Sequence, residues 1–555
     1  MKELILKHVI VNAIEHGGKA NVQAVLGKVI AERPELKKKI KEILPEIEKT
    51  VEEINYWSLE KQEKKFKEMK IKIPKKEERE GLPELPKVEK YEKIVMRLAP
   101  FPSGPLHIGN TRMVILNDEY VKKYKGKLLL VIDDTIGSEK KFIIPEAYDL
   151  IVDGLKWLGA KYHKLLYKSD RLQLFYDVAE ELIKKEIAYV CECDSETLRK
   201  NRVQGLECSH RKQTIEENLE KWKKMLGGKY EEGEVVVRLK TDMKHPNPAF
   251  RDRVLLRIVK REHPRTGKKY VVWPLLEYSW AVDDHLLKIT HILRGKDLVM
   301  EDMMEEFIWN KLGWEKPEFI HHGLLNIKGI KLSKTKAREA IKTGLYKGWD
   351  DPRTWSLQAL RKRGINPEAM RKFIIGMGLS LADVIVPAEI LYAENRKIID
   401  PVANRYFAVL DTVEISVGKA PEIKEVKGNL HPDFPKKGYR KIPVNTQKIY
   451  VEKEDFKKFK DKEIRLIDLF NIKLGKTTEF ISKELKMDMP KIQWVSEPNV
   501  KIKIVMPDGS LKEGVAEPEV KNIKNDEIVQ FTRIGFCRCD KAYKDKKIVL
   551  YFAHK

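Results

Sequence analysis

The chain opens with apolar side chains at helical spacing. Leu6, Val9, Ile10, Ala13 and Ile14 fall at i, i+3, i+4, i+7 and i+8, and Gly17-Gly18 ends the run. Val22, Val25, Leu26, Val29 and Ile30 repeat the pattern up to Pro34, and Leu36, Ile40, Ile43, Ile47, Val51 and Ile54 predict a third helix kinked at Pro45. Residues 59–92 turn Lys/Glu-rich with Pro74, Pro83 and Pro86, the pattern of an exposed linker. Near residue 93 the character changes. The short apolar run Ile94–Leu98 ends in a Pro/Gly loop, a helix is predicted over about 107–124, and Leu128–Ile132 is an unbroken apolar run ending at Asp133-Asp134-Thr135. Strand, crossover helix and doubly buried strand make a βαβ unit with a parallel sheet, whose ligands bind at the strands' carboxyl ends. Residues 340–400 read as helical. From about 400 the segments are short and alternating, as in Val500–Ile504 before the hairpin signal Pro507-Asp508-Gly509, so 400–555 is expected to be antiparallel β, one or two small barrels.

Composition narrows the function. The 555 residues carry a formal charge of +24 with a pI near 9.4, which favours a polyanionic partner. No run of 18 apolar residues exists and no basic amphipathic stretch shows a broad apolar face, so nucleic acid is favoured over membrane. The N-terminus lacks the order of a signal peptide, and 5 cysteines, an odd and sparse set, fit a reducing compartment; a cytoplasmic protein is expected.

Three segments carry candidate chemistry. In Ala99–Asn110, prolines and Gly104 form a rigid turn after a strand, and His107 and Gly109 fall at a helix start, whose free N–H groups suit phosphate. Gly329–Thr335 is a small loop with Lys331 and Lys334, two ammonium groups able to clamp a leaving pyrophosphate. Cys191, Cys193, Cys208 and His210 form a C-x-C…C-x-H set that fits a closed tetrahedral structural zinc site. Cys537 and Cys539 have no such neighbours and read as buried thiols on one strand face. From Lys436 to Thr478 there are 13 Lys/Arg against 6 Asp/Glu, a local excess of positive charge around Tyr439.

The first two segments, in this order, resemble the HIGH and KMSKS signatures of class I aminoacyl-tRNA synthetases. Arg97-Leu98-Ala99-Pro100, Pro102-Ser103-Gly104, Asp133-Asp134-Thr135 and Gly348-Trp349-Asp350-Asp351-Pro352-Arg353 are similar to motifs of the glutamyl/glutaminyl branch, and the last, with Leu360–Gly364, to its archaeal/eukaryotic subgroup. The resemblance covers about 93–555 and only loosely 1–92. It implies a helical N-terminal extension and linker (1–92), a Rossmann-type catalytic domain (93–340) with an acceptor-binding insertion at about 185–272, a helical connector (341–400) and a β-barrel anticodon-binding region (401–555). It implies ATP with Mg2+ as co-substrate, bound by Pro102, Ser103, Gly104, His107, Gly109 and Lys334, with His107, Lys331 and Lys334 as catalytic donors. The carboxylate nucleophile needs no general base, so catalysis is positioning and charge stabilisation. L-Glutamate is expected on Arg97, Asp133, Tyr278 and Arg294, with Arg294 reading the γ-carboxylate; an unpaired buried guanidinium, costing on the order of 3–5 kcal/mol, would reject glutamine.

The polyanion is then tRNA-Glu, or tRNA-Gln as well, the latter with an indirect link to a Glu-tRNA amidotransferase. The chain departs from the family pattern at Asn110, Val131 and Leu276, where a histidine, an arginine and a tyrosine are common. The alternatives are a glutaminyl-tRNA synthetase, disfavoured by Arg294, and a non-catalytic tRNA-binding relative, disfavoured by the intact His107, Lys331 and Lys334.

Overall fold

A computed structural model describes residues 1–15, 18–69, 81–136, 142–486, 488–544 and 547–555. Gly17 and Pro74, expected to end the first helix and to break the linker, lie outside the described residues. The chain divides into two compact units, 1–80 and 81–555.

In the first unit, α1 (Lys2–Glu15), α2 (Val22–Glu32), α3 (Ile40–Asn55) and α4 (Leu59–Glu68) enclose a core of Ile5, Val9, Ile10, Val25, Val29, Ile43, Ile47 and Ile54. Asn21 caps α2 by accepting from the Ala24 N–H at 3.1 Å. A 3-10 turn over Pro34–Lys39 precedes α3, which runs through Pro45 as one element. The start of the expected linker is instead α4: its buried Gln62 amide donates to the carbonyls of Ile54 (2.8 Å) and Gly18 (3.0 Å), so a polar side chain does the docking.

The second unit begins with β1 (Val95–Leu98), α5 (Ile108–Lys123), β2 (Lys127–Ile132), α6 (Pro145–Trp157), β3 (Lys164–Tyr167) and α7 (Leu172–Lys184). An antiparallel sheet in sequential order, β4 (Ala188–Cys191), β5 (Val236–Leu239), β6 (Val254–Ile258) and β7 (Val272–Pro274), then interrupts, carrying α8 (Ser195–Gln204) and α9 (Ile215–Leu226). The α/β pattern resumes with α10 (Leu276–Leu286), β8 (His291–Gly295), α11 (Val299–Leu312) and β9 (Glu318–His322).

Strands β1, β2 and β3 are parallel neighbours, as are β8 and β9. Thr290 joins the two sets: its N–H donates to the Val95 carbonyl and its hydroxyl accepts from the Val95 N–H, both at 2.9 Å. The strand order is therefore β3-β2-β1-β8-β9, and it reverses at β1, the switch point where doubly wound sheets bind ligands. Leu128, Leu130 and Ile132 face one core with α5 and α6, while Leu129 and Val131 face the other with α7, α10 and α11. Burial on both faces is why β2 is a continuous apolar run.

The connector holds β10 (Leu325–Ile327), α12 (Lys334–Lys342), α13 (Leu357–Arg363), α14 (Pro367–Met377), β11 (Val384–Val386) and α15 (Ala388–Ile399), with β10 and β11 paired in parallel. Beyond it, a seven-stranded sheet is nearly closed into a barrel. Residues 404–406 form one edge and 408–410 the other, so the chain bends at Phe407 from edge to edge. The hairpin expected at 507–509 is there, joining Val500–Val505 to Leu511–Ala516. Cys537 and Cys539 are buried in this sheet. A second set of strands over 412–496 builds its own core around Trp494.

Candidate active site

The loop after β1 is held from both sides. The Asp133 N–H donates to the Pro100 carbonyl at 3.1 Å and the Ile144 N–H to the Pro102 carbonyl at 2.9 Å. Gly104 adopts φ +141°, and a Cβ there would sit 2.8 Å from the Trp349 indole, so both backbone and neighbour require glycine. His107 is the N-cap of α5: Nδ1 accepts from the Gly109 N–H (3.1 Å), while Asn110 Oδ1 accepts from the His107 N–H (3.1 Å). Asn110, a departure from the family pattern, thus completes a reciprocal cap. Burial, then the nearby Lys334 charge, lower the His107 pKa to about 4. The ring is neutral at pH 7 with Nδ1 occupied as an acceptor, which leaves Nε2 as the N–H donor.

Lys334 opens α12, whose N-cap Ser333 accepts from the Lys336 N–H at 3.3 Å. Its Nζ donates to the Gly104 carbonyl at 3.3 Å, and burial lowers its pKa to about 8. Ala99, Pro100, Ser103, Asn110, Lys334 and Arg338 are among the residues lining a cavity of about 360 Å³. His107 lies beside it in a narrow gap with Lys334 and Trp349.

Behind this cavity the strand ends converge on one indole. Arg97 (β1) and Arg294 (β8) each lie 4.8 Å from the Trp280 ring centre, and Lys168, just past β3, lies 5.2 Å from it. Arg97 makes two hydrogen bonds of 2.7 Å to Asp284. Lys168, fully buried, donates to Ser279 Oγ at 2.6 Å and stands 3.3 Å from Asp133 Oδ2. Arg294 donates through Nε to Asp302 (2.8 Å) and through Nη2 to Asp302 and to Glu305 Oε1 (2.8 Å). Burial would raise the Asp302 carboxyl, but His321 and Arg294 hold it below its ordinary value. Burial pushes the Glu305 carboxyl up to about 8. Among the buried atoms of this cluster, Asp133 Oδ2, the Trp280 indole N–H, Arg294 Nη1 and Glu305 Oε2 are without a hydrogen bond. Each is the kind of group folded chains rarely leave unmet.

Within the segment inserted between α7 and α10, Cys191, Cys193, Cys208 and His210 bring their ligand atoms within 4.8 Å of one another. The Cys191 and Cys208 sulfurs are 3.8 Å apart, and Cys193 Sγ is 3.5 Å from His210 Nδ1. A tetrahedron with Zn–S of about 2.3 Å and Zn–N of about 2.0 Å has edges of about 3.8 and 3.5 Å, so the quartet fits zinc. His210 Nε2 lies 3.7 Å from the Glu192 carboxylate, and Arg238 donates to both Cys191 and Cys208. The Cys191 contact, the Tyr189 hydroxyl and the Arg238 charge lower the Cys208 thiol below its ordinary value, which favours a thiolate ligand.

Known protein families match the chain in three segments. Residues 93–400 match the model of the catalytic domain of class I tRNA synthetases (E and Q), and residues 403–489 and 491–540 match the two models of their anticodon-binding domain. The chain belongs to the class I tRNA synthetases of the E and Q type. Among curated proteins, this synthetase is 47% identical to the glutamate–tRNA ligase of Pyrococcus furiosus, 46% to that of Pyrococcus abyssi and 44% to that of Methanocaldococcus jannaschii, each pair aligned over 100% of both chains.

Not every expected site residue joins the synthetase's cleft. Lys331 is exposed and outside the cavity lining. Gly109 has an internal reason to be glycine, since a Cβ would meet the His107 ring at 2.9 Å and the Leu325 carbonyl at 3.2 Å. Tyr278 is corrected: its hydroxyl donates to the Phe175 carbonyl at 2.5 Å in the core between α10 and α7, away from Arg97 and Arg294. Two residues on, about 200° around the helix, Trp280 faces the cluster instead. Arg294 is also not the unpaired charge expected above: Asp302 and Glu305 meet it, so a bound glutamine would not leave the guanidinium uncompensated. The sequence pattern does not single out Lys168, Trp280, Asp284, Asp302 or Glu305; Asp283-Asp284 closing an apolar helix is the local signal it offers. Among the described residues no helix is long and apolar enough to cross a membrane.

Proposed function

We propose that this synthetase activates L-glutamate with ATP and transfers it to the 3′-terminal adenosine of tRNA-Glu. The observation that carries the reading is the pair of unmet buried atoms beside Trp280, Asp133 Oδ2 and Arg294 Nη1. Asp133 Oδ2 faces the Lys168 ammonium at 3.3 Å but accepts no hydrogen bond, which leaves it room for a substrate ammonium; Arg294 Nη1 lacks a carboxylate, and an acidic α-amino acid bears both groups. Arg97, held by Asp284, adds positive charge beside the same ring.

In the first step the substrate's α-carboxylate oxygen bonds to the α-phosphorus of ATP and the bond to the pyrophosphate oxygen breaks. His107 Nε2–H and the Lys334 ammonium act as donors to the phosphate oxygens as charge builds, with Pro102, Ser103, Gly104 and Gly109 shaping the nucleotide's bed; Lys331 acts from the exposed loop. ATP enters with Mg2+, which neutralises phosphate charge. In the second step a ribose hydroxyl of the tRNA terminus bonds to the acyl carbon and AMP leaves. Cys191, Cys193, Cys208 and His210 hold a structural zinc in the insertion, where the acceptor end docks, and the Lys-rich strands around Tyr439 meet the anticodon arm. The same chemistry on tRNA-Gln would supply an amidotransferase that converts the misacylated glutamate.

The test is ATP-dependent charging of tRNA-Glu and tRNA-Gln transcripts with labelled glutamate or glutamine. Glutamate is expected on tRNA-Glu; glutamine charging without glutamate charging overturns the proposal.

A further inference from the structure

The glutamate reading leaves a charge problem. Arg294 carries one positive charge, and two carboxylates of α11, Asp302 and Glu305, already bond to it. Were both ionised, a substrate carboxylate reaching Nη1 would meet net negative charge at close range in a buried site. The geometry of Glu305 removes the conflict. It is fully buried, it spends only Oε1 on Arg294, and Oε2 has no partner. An ionised carboxylate buried with one oxygen unpaired is costly, whereas a protonated one turns Oε2 into a donor.

We propose that Glu305 is a specificity-determining residue that stays protonated and presents Oε2–H, next to Arg294 Nη1–H, as a second donor to the substrate's side-chain carboxylate. This rests on the glutamate reading above. Two donors side by side match the two acceptor oxygens of a γ-carboxylate. A carboxamide offers one acceptor and an NH2 group, which would face a donor with no acceptor. Arg97 (β1), Asp284 (α10), Arg294 (β8), Asp302 and, through Asp302, His321 (β9) are the charged and titratable groups around Glu305. Their balance and burial place its pKa near 8, so the proton is held at neutral pH.

Above that pH Glu305 ionises and repels the ligand. The KM for glutamate should therefore climb as pH passes about 8, by at most about tenfold per unit for loss of one proton, while the KM for ATP does not follow. In Glu305→Gln the amide cannot ionise, and the glutamate KM should stay flat over about pH 7 to 9.5. Glu305→Leu, which removes the donor, should raise the glutamate KM about tenfold at pH 7. The assay is glutamate-dependent ATP–pyrophosphate exchange, paired with isotope-edited infrared difference spectra of wild type against Glu305→Gln, which should show a carboxylic-acid band at neutral pH. Absence of that band, or an alkaline rise in KM that survives in Glu305→Gln, overturns the inference alone. A wild type that activates no glutamate overturns the proposed function, and this with it.

Discussion

The Lys334 ammonium donates to the Gly104 carbonyl, so the two loops that carry the nucleotide signatures, 230 residues apart, meet through one hydrogen bond. This ties the only basic side chain of the second loop that lines the cavity to the turn that follows β1.

Replacing Lys334 with Ala should lower the rate of adenylate formation about 10²–10³-fold, the usual loss for one preorganised charged donor, with the glutamate KM little changed. The sign of the pH dependence follows from its pKa of about 8: the cation is present below that value and lost above it, so kcat falls on the alkaline side. Lys334→Arg should abolish that fall. A wild-type kcat that stays level to pH 10 would contradict the assignment; both are read by pyrophosphate exchange.

Neutral His107 makes a separate prediction. With its pKa near 4, no inflection in kcat should occur around pH 6.5, where a free histidine titrates, and the acid limb should begin near about pH 5. A clear inflection at 6.5 that vanishes in His107→Asn would show that the ring acts as a cation.

Gly104→Ala tests the packing of the turn. The added methyl meets Trp349 at 2.8 Å, at a φ that side chains resist, so the loop or the indole must move. A loss of about tenfold or more in kcat/KM for ATP is expected, partly restored by Trp349→Leu. Full activity of the single variant would mean that the turn and Trp349 do not constrain the nucleotide site.

Metal analysis of freshly purified protein should find one zinc per chain. Cys208→Ser should lose it and lower the thermal stability of the insertion, because a structural zinc site contributes folding energy. Zinc-free protein with unchanged melting would refute the Cys₃His site.

At the junction of α15 and the barrel, the His554 ring accepts from Asn395 through Nε2 (3.0 Å) and donates to the Lys555 carbonyl through Nδ1 (2.8 Å), a neutral arrangement. Burial holds its pKa at about 4. The folded state thus binds fewer protons than the unfolded one between about pH 4 and 6.5, so stability falls as pH drops through that window, by up to about 3 kcal/mol from this group. The difference in urea stability between wild type and His554→Gln should shrink on acidification; a constant difference would refute it.

How far these features could be read in advance depended on distance along the chain. The run at β2 and the spacing in α1–α3 are local patterns, and they lie where the pattern predicts. The nucleotide loops were legible because strand, turn and helix start are contiguous. The cluster at Trp280 was not, since its members come from β1, the ends of β2 and β3, α10, β8 and α11. Glu305 sits among Met303, Met304 and Glu306, and nothing in that string marks one acid as interior. Helix α4 was missed for a related reason: Gln62 buries a polar group against carbonyls, which leaves no apolar stripe to count.

The bend at Phe407 has a consequence for synthesis. Residues 404–410 supply both seam strands of the barrel, yet their partners, 528–531 and 511–516, emerge more than a hundred residues later. At a translation rate of about 5–20 residues per second, these two strand edges wait for several seconds or longer with their N–H and C=O groups unclaimed. The last strand, Lys547–His554, must also arrive before Val500–Val505 has its second neighbour. The nascent chain therefore finishes its catalytic half first and carries an open, sticky edge until residues 547–554 are made.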